Sequence, residues 1–204
     1  VATLKYSDVD SLLLTAPPYV LAVITTYLNS WHADRTGERF FHIVGPLFFA
    51  VFAYILAAAT TKTGPRYLAM MLMVPGVYSG YVVALAWISN SLPRPPAKRA
   101  AALAFINAIS NTSSIYASYM YESSMGKYDL GLIPEALLTQ APGPRYVIAM
   151  SVNCGMALMA ILSAVTLRLI LVRLNKKLDQ GIFVEGAINS GTTEAGKRGF
   201  RFRV

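Results

Sequence analysis

Five stretches of this chain carry no Asp, Glu, Lys or Arg: residues 11–33, 40–61, 67–93, 100–121 and 146–167. Each is close to the ~20 residues that an α-helix needs to cross a ~30 Å hydrocarbon layer. The pattern predicts an all-α membrane protein with five spans, at about 11–31, 40–60, 67–92, 100–121 and 146–168. Breakers punctuate it, notably Lys62-Thr-Gly-Pro-Arg66 and Pro93-Arg94-Pro95-Pro96. Pro17-Pro18 falls early in the first span, where a helix tolerates proline. A longer loop, 122–145, separates spans four and five. The membrane domain is expected over 11–179. The tail, 180–204, is rich in Gly and polar residues without hydrophobic period and is expected to be disordered.

Composition strengthens the membrane reading. Of 204 residues, 55% are hydrophobic and 14% charged, against ~25% charged in soluble domains. The net charge of +8 would suit nucleic acid, but the basic residues flank the spans. Orientation against membrane lipid explains them better, with no nucleic-acid partner. Arg35, Arg39, Arg94, Lys98, Arg99, Arg168, Arg173, Lys176 and Lys177 fall on one side, with the basic residues of the tail. Lys5, Lys62, Arg66, Lys127 and Arg145 fall on the other. The positive-inside rule places the C-terminus in the cytoplasm and residues 1–10 outside. The first span lacks the basic leader and cleavage site of a signal peptide. An outside N-terminus without a targeting signal, beginning at Val1, leads us to expect that further helices precede it. Cys154 is alone, so no disulfide framework exists.

Between spans one and two stands Ser30-Trp-His-Ala-Asp34-Arg35-Thr-Gly37-Glu38-Arg39. Asp34 can pair with Arg35, Arg39 or a neighbouring helix, and Gly37 suits a tight turn. An ordinary charged turn would use the same residues. The segment resembles the Gly-x-x-x-Asp-Arg-x-Gly-Arg-Arg loop of the major facilitator superfamily, with Ser30 and Glu38 as departures. The resemblance implies that Asp34, Arg35, Gly37 and Arg39 form a conformational, gating loop whose ion pairs break between transport states.

A second resemblance lies in Trp87-Ile-Ser-Asn90, Lys98-Arg99, Asn107 and Asn111. The order is similar to the tenth and eleventh helices of the fungal allantoate permease family of anion:cation symporters, with Ser110 where Gly is usual. The ending Gly199-Phe-Arg-Phe-Arg203 is similar to that family's aromatic–Arg endings. The resemblance implies that the five spans correspond to helices eight to twelve of a twelve-helix transporter, an incomplete C-terminal half. It also implies that the missing N-terminal helices of the same transporter are a partner.

In span four, Asn107, Asn111, Ser114 and Ser118 recur at helical spacing and form a polar stripe among alanines. Such amides either line a solute cavity or cross-link packed helices. Gly76-x-x-x-Gly80 in span three points to close helix packing, with Pro75-Gly76 able to bend. Tyr81 and Trp87 could stack on a planar solute or fill the interior. In span one, Thr15, Tyr19 and Thr26 share a face. The resemblance turns that face toward the cavity, which makes Thr15, Tyr19, Thr26, Tyr81, Trp87, Asn107, Asn111 and Ser114 the candidate solute contacts. His32 and His42 read as loop or interfacial residues.

No paired acids, zinc spacing, nucleophile elbow or phosphate loop appears, so no enzyme reaction, cofactor or metal is expected. No carboxylate lies within a span. Composition alone implies only a polytopic membrane protein; the resemblance implies transport of a small organic anion (allantoate-, nicotinate- or pantothenate-like) by alternating access at a plasma membrane. Proton coupling comes from the resemblance. The alternatives are a non-transporting sensor or solute-binding relative, and an inactive truncated product.

Overall fold

The computed structural model describes residues 13–60, 62–92, 95–123, 147–180, 182, 184 and 201–203, with only the backbone at 114, 116, 118–123 and 148. The expected N-terminal segment 1–10, nearly all of the 122–145 loop and tail residues 185–200 lie outside the described residues. The protein is all-helical there: α1 (Ala16–Thr36), α2 (Phe40–Ala59), α3 (Thr63–Ser91), α4 (Pro96–Ser123) and α5 (Val147–Asp179). Three helical segments, Phe40–Ala59, Thr63–Ser91 and Ala149–Asp179, are long and apolar enough to cross a membrane. α1 and α4 are long enough but more polar, because Thr, Asn, Ser and His interrupt their apolar residues.

Helix ends differ from the charge-free stretches in an instructive way. α1 continues through Asp34 and Arg35 to Thr36, so the turn before α2 shrinks to residues 37–39. α5 continues past Arg168 to Asp179, with Lys176 and Lys177 in its last turn. Cations at a helix C-terminus meet the unpaired carbonyls and the negative end of the dipole favourably. Pro17 and Pro18 stand in the first turn of α1, where a missing N–H costs nothing.

α3 is the central helix. It packs along α2 and α1, while α5 packs on the other flank of α2, and α4 touches α3 and α5 only lightly. The α2–α3 contact depends on glycine. A Cβ at position 76 would stand 2.7 Å from the Pro46 carbonyl oxygen and 3.0 Å from the Ala50 Cβ. One at position 80 would stand 3.3 Å from the Ile43 oxygen. Gly76-x-x-x-Gly80 therefore permits the backbones to approach where hydrophobic drive between helices is weak. The main core joins Ala33, Ile43, Val44, Leu47, Val83 and Trp87 to Ala157, Ile161 and Ala164 of α5.

Prolines interrupt both partners, Pro46 within α2 and Pro75 within α3. Pro46 has no N–H, so the carbonyl of His42, four residues earlier, loses its helical donor. Asn29 of α1 supplies a replacement: its Nδ2 donates to the His42 oxygen at 2.8 Å. The same amide lies 3.5 Å from the oxygen of buried Ser79 on α3. One side chain thus joins three helices.

Candidate functional site

The α1–α2 corner gathers a capped turn, an ion pair and a pair of histidines. Gly37 has φ 73°, and its N–H donates to the Ala33 oxygen at 3.0 Å, a left-handed cap that ends α1. The turn delivers Arg39 back beneath Asp34. Arg39 Nη2 donates to Asp34 Oδ1 at 2.6 Å, with the Arg39 side chain 6% and the Asp34 side chain 67% exposed. A buried guanidinium is therefore held by a water-facing carboxylate. Arg39 Nε has no partner among the described residues. Arg35 lies over the Trp31 ring at 5.6 Å, and Arg168 of α5 lies 4.4 Å from the Phe40 ring and 4.8 Å from the Phe41 ring. The two Arg168 contacts tie α5 to the start of α2. His32 Nδ1 and His42 Nε2 approach to 2.6 Å, so the two histidines meet each other across the corner. No group of three His, Cys, Asp or Glu that could hold a metal occurs among the described residues.

The proposed solute contacts are scattered over three helices. On α1, Thr26 is half-buried and Tyr19 exposed, with half-buried Thr15 just ahead of the helix. On α3, Tyr81 is 39% exposed and Trp87 only 2%. Both line an apolar cavity of about 350 Å³ bounded by Ile43, Leu47, Ala164 and Leu167. The Trp87 indole N–H donates to the Arg203 carbonyl at 2.9 Å, so its one polar group is satisfied within the protein and the side chain is buried. On α4, Asn107 and Asn111 are exposed, and Asn111 Nδ2 donates to the Asn107 oxygen at 2.9 Å. The Ser114 backbone belongs to α4, and its side chain lies outside the described atoms. The structure brings Tyr81 and Trp87 to one cavity; among the described residues, Thr15, Tyr19, Thr26, Asn107 and Asn111 do not line it.

Two groups of residues escaped the sequence reading. Asn29 was visible as a polar residue in span one, but its role depends on Pro46 in the next helix. Asn175 and Asp179, on α5, receive Phe202 and Arg201 of the tail. The tail was expected to be disordered, yet Arg201–Arg203 pack on the helices and Phe202 is 6% exposed. The aromatic–Arg alternation of the ending was its one advance signal.

Long apolar helices, a cation-rich bundle end and buried polar ties between helices define an integral membrane protein. The chain is similar to transporters. An uncharacterized transporter of Schizosaccharomyces pombe is 32% identical over 128 residues, 63% of this chain and 26% of the relative. An MFS-type transporter of Penicillium expansum is 24% identical over 198 residues, 95% of this chain and 35% of the relative. A protein of Agrobacterium vitis, named provisionally as a tartrate transporter, is 30% identical over 105 residues, 52% of this chain and 23% of the relative. The chain spans about a quarter to a third of the length of the curated relatives it matches. No family model and no solved structure matches it. The likeness is to transporters of the major facilitator type rather than to enzymes, and none of these names points to allantoate permeases.

Proposed function

We propose that these five helices work as part of a major facilitator transporter that moves a small organic anion by alternating access. The observation that carries the reading is the alignment with an MFS-type transporter over 95% of this chain. The relative named for tartrate supports a carboxylate as solute. Proton coupling, a plasma-membrane location and a cytoplasmic C-terminus belong to the same proposal. The clustering of Arg35, Arg39 and Arg168 at one bundle end supports that orientation. Among the solute contacts, Tyr81, Asn107 and Asn111 present accessible surface. The Asp34–Arg39 pair is a gating contact that stabilises one state and opens in the other.

Uptake of labelled tartrate, nicotinate, allantoate and pantothenate into cells expressing the whole gene tests this. Saturable uptake of one of them, lost when the proton gradient is collapsed, is the expected result. Surface expression with ligand binding but no uptake above vector control would replace the transporter with a sensor.

A further inference from the structure

The tail segment Arg201–Arg203 occupies the gap between the ends of α3 and α5. Both helices lean on α2, and the apolar cavity of about 350 Å³ lies between them, with Trp87 in its lining. The tail seats itself against that same Trp87. Trp87 Nε1 donates to the Arg203 oxygen at 2.9 Å. Asn175 of α5 clamps the next residue twice: Phe202 N–H donates to Asn175 Oδ1 at 2.9 Å, and Asn175 Nδ2 donates to the Phe202 oxygen at 2.9 Å. One side-chain amide thereby satisfies both backbone groups of Phe202, as a neighbouring strand would. Asp179 receives Arg201, Nε at 2.8 Å and Nη2 at 2.5 Å. The Phe202 ring joins the core that contains Trp87, Leu171 and Leu178.

We propose that this gap is an intramolecular docking site for the extended Arg-Phe-Arg segment, and that the docked segment is a releasable strap joining α3 to α5. α3 supplies the donor for residue 203, and α5 supplies the clamp for 202 and the carboxylate for 201. The helices can separate at this end only if one set of contacts breaks. Release is within thermal reach because the contacts are few and each hydrogen bond contributes modestly. The ion pair, moreover, is half in water, with side chains 40% and 58% exposed, so salt weakens it. The inference is independent of which solute is carried.

The test uses the full chain in lipid nanodiscs. Trp31→Phe leaves Trp87 as the single indole, and Cys154→Ala with Asn90→Cys and Lys176→Cys places spin labels on exposed positions of α3 and α5. Phe202→Ala lies outside every helix and so removes the anchor while leaving the sequence of each helix intact. It should shift the docked-to-released ratio by at least about tenfold, the scale set by exposing an aromatic ring. The expected readings are a red-shifted, more readily quenched Trp87 emission and a broadened Asn90–Lys176 distance distribution. Asn175→Asp, which keeps size and loses the donor to Phe202, should move both in the same direction. Added peptide Gly-Phe-Arg-Phe-Arg-Val should narrow the Phe202→Ala distribution again. An unchanged Trp87 emission would refute docking. A shifted emission with an unchanged distance distribution would refute the strap.

Discussion

The side-chain amide of Asn29 donates to the backbone oxygen of His42 at 2.8 Å, and that oxygen is the one that Pro46 deprives of a helical partner. A proline inside a spanning helix is tolerated when a neighbour satisfies the freed carbonyl. Asn29→Ala should cost about 1 kcal/mol, the low end for stranding an acceptor, because this bond is half-buried. The pairing also predicts its own rescue. Pro46→Ala restores an N–H that can bond His42, so the double variant should recover most of the loss seen with Asn29→Ala alone. Thermal unfolding followed by circular dichroism checks this, and strictly additive losses would refute it.

Gly76 faces the Pro46 carbonyl across the α2–α3 contact with no room for a side chain. Gly76→Ala forces a Cβ to within 2.7 Å of a backbone oxygen, which rigid backbone cannot yield as a side chain would. A destabilisation of about 1–3 kcal/mol follows from overpacking of this kind. Gly80→Ala should cost less, because its nearest obstacle is at 3.3 Å and the next is the Leu47 side chain. Reversal of that order in unfolding midpoints would refute the packing account.

The five helices were legible because charge-free stretches report membrane thickness directly. Their ends were not. Asp34, Arg35, Arg173 and Lys176 continue helices beyond the apolar stretch, since a charged residue facing water is as helical as its neighbours. Gly37 and Gly76-x-x-x-Gly80 were readable in advance, as each follows from a local rule about Cβ and space. Asn29 was not, because its meaning depends on a proline seventeen positions later in another helix. The seat of Phe202 was nearly as hidden: the Phe-Arg-Phe-Arg alternation that ends a polar tail hints at order but does not say where the ring packs. Trp87 illustrates the difficulty at a candidate site. An aromatic residue in a span suits solute stacking and core packing alike, and the choice here turns on a backbone carbonyl at residue 203.

Asp34 holds Arg39 at 2.6 Å, and the asymmetry of the pair sets what its loss should do. The carboxylate is water-facing, so solvent screens the attraction, and Asp34→Asn should lower stability by no more than about 1 kcal/mol. The guanidinium is buried and fork-shaped, so Arg39→Lys should be the more damaging change. In the proposed transporter, Asp34→Asn is expected to lower the maximal uptake rate several-fold while leaving solute affinity nearly unchanged. Equal rates in wild type and variant would remove the gating role.

Asn111 already has a hydrogen-bond partner in the Asn107 carbonyl one turn back, and both amides face outward on a helix with little packing. A back-bonded, exposed amide contributes little to the fold itself. Asn111→Ala should therefore leave expression and thermal stability of this chain within about 0.5 kcal/mol of wild type. If the amide turns to the solute during the proposed transport cycle, the same variant in the proposed transporter should raise KM about five- to tenfold, the weight of one hydrogen bond. Asn111→Asp discriminates further, because a carboxylate there would repel an anionic solute and raise KM more than Ala does. Loss of surface expression in Asn111→Ala with unchanged KM would instead assign the polar stripe of α4 to helix–helix contacts.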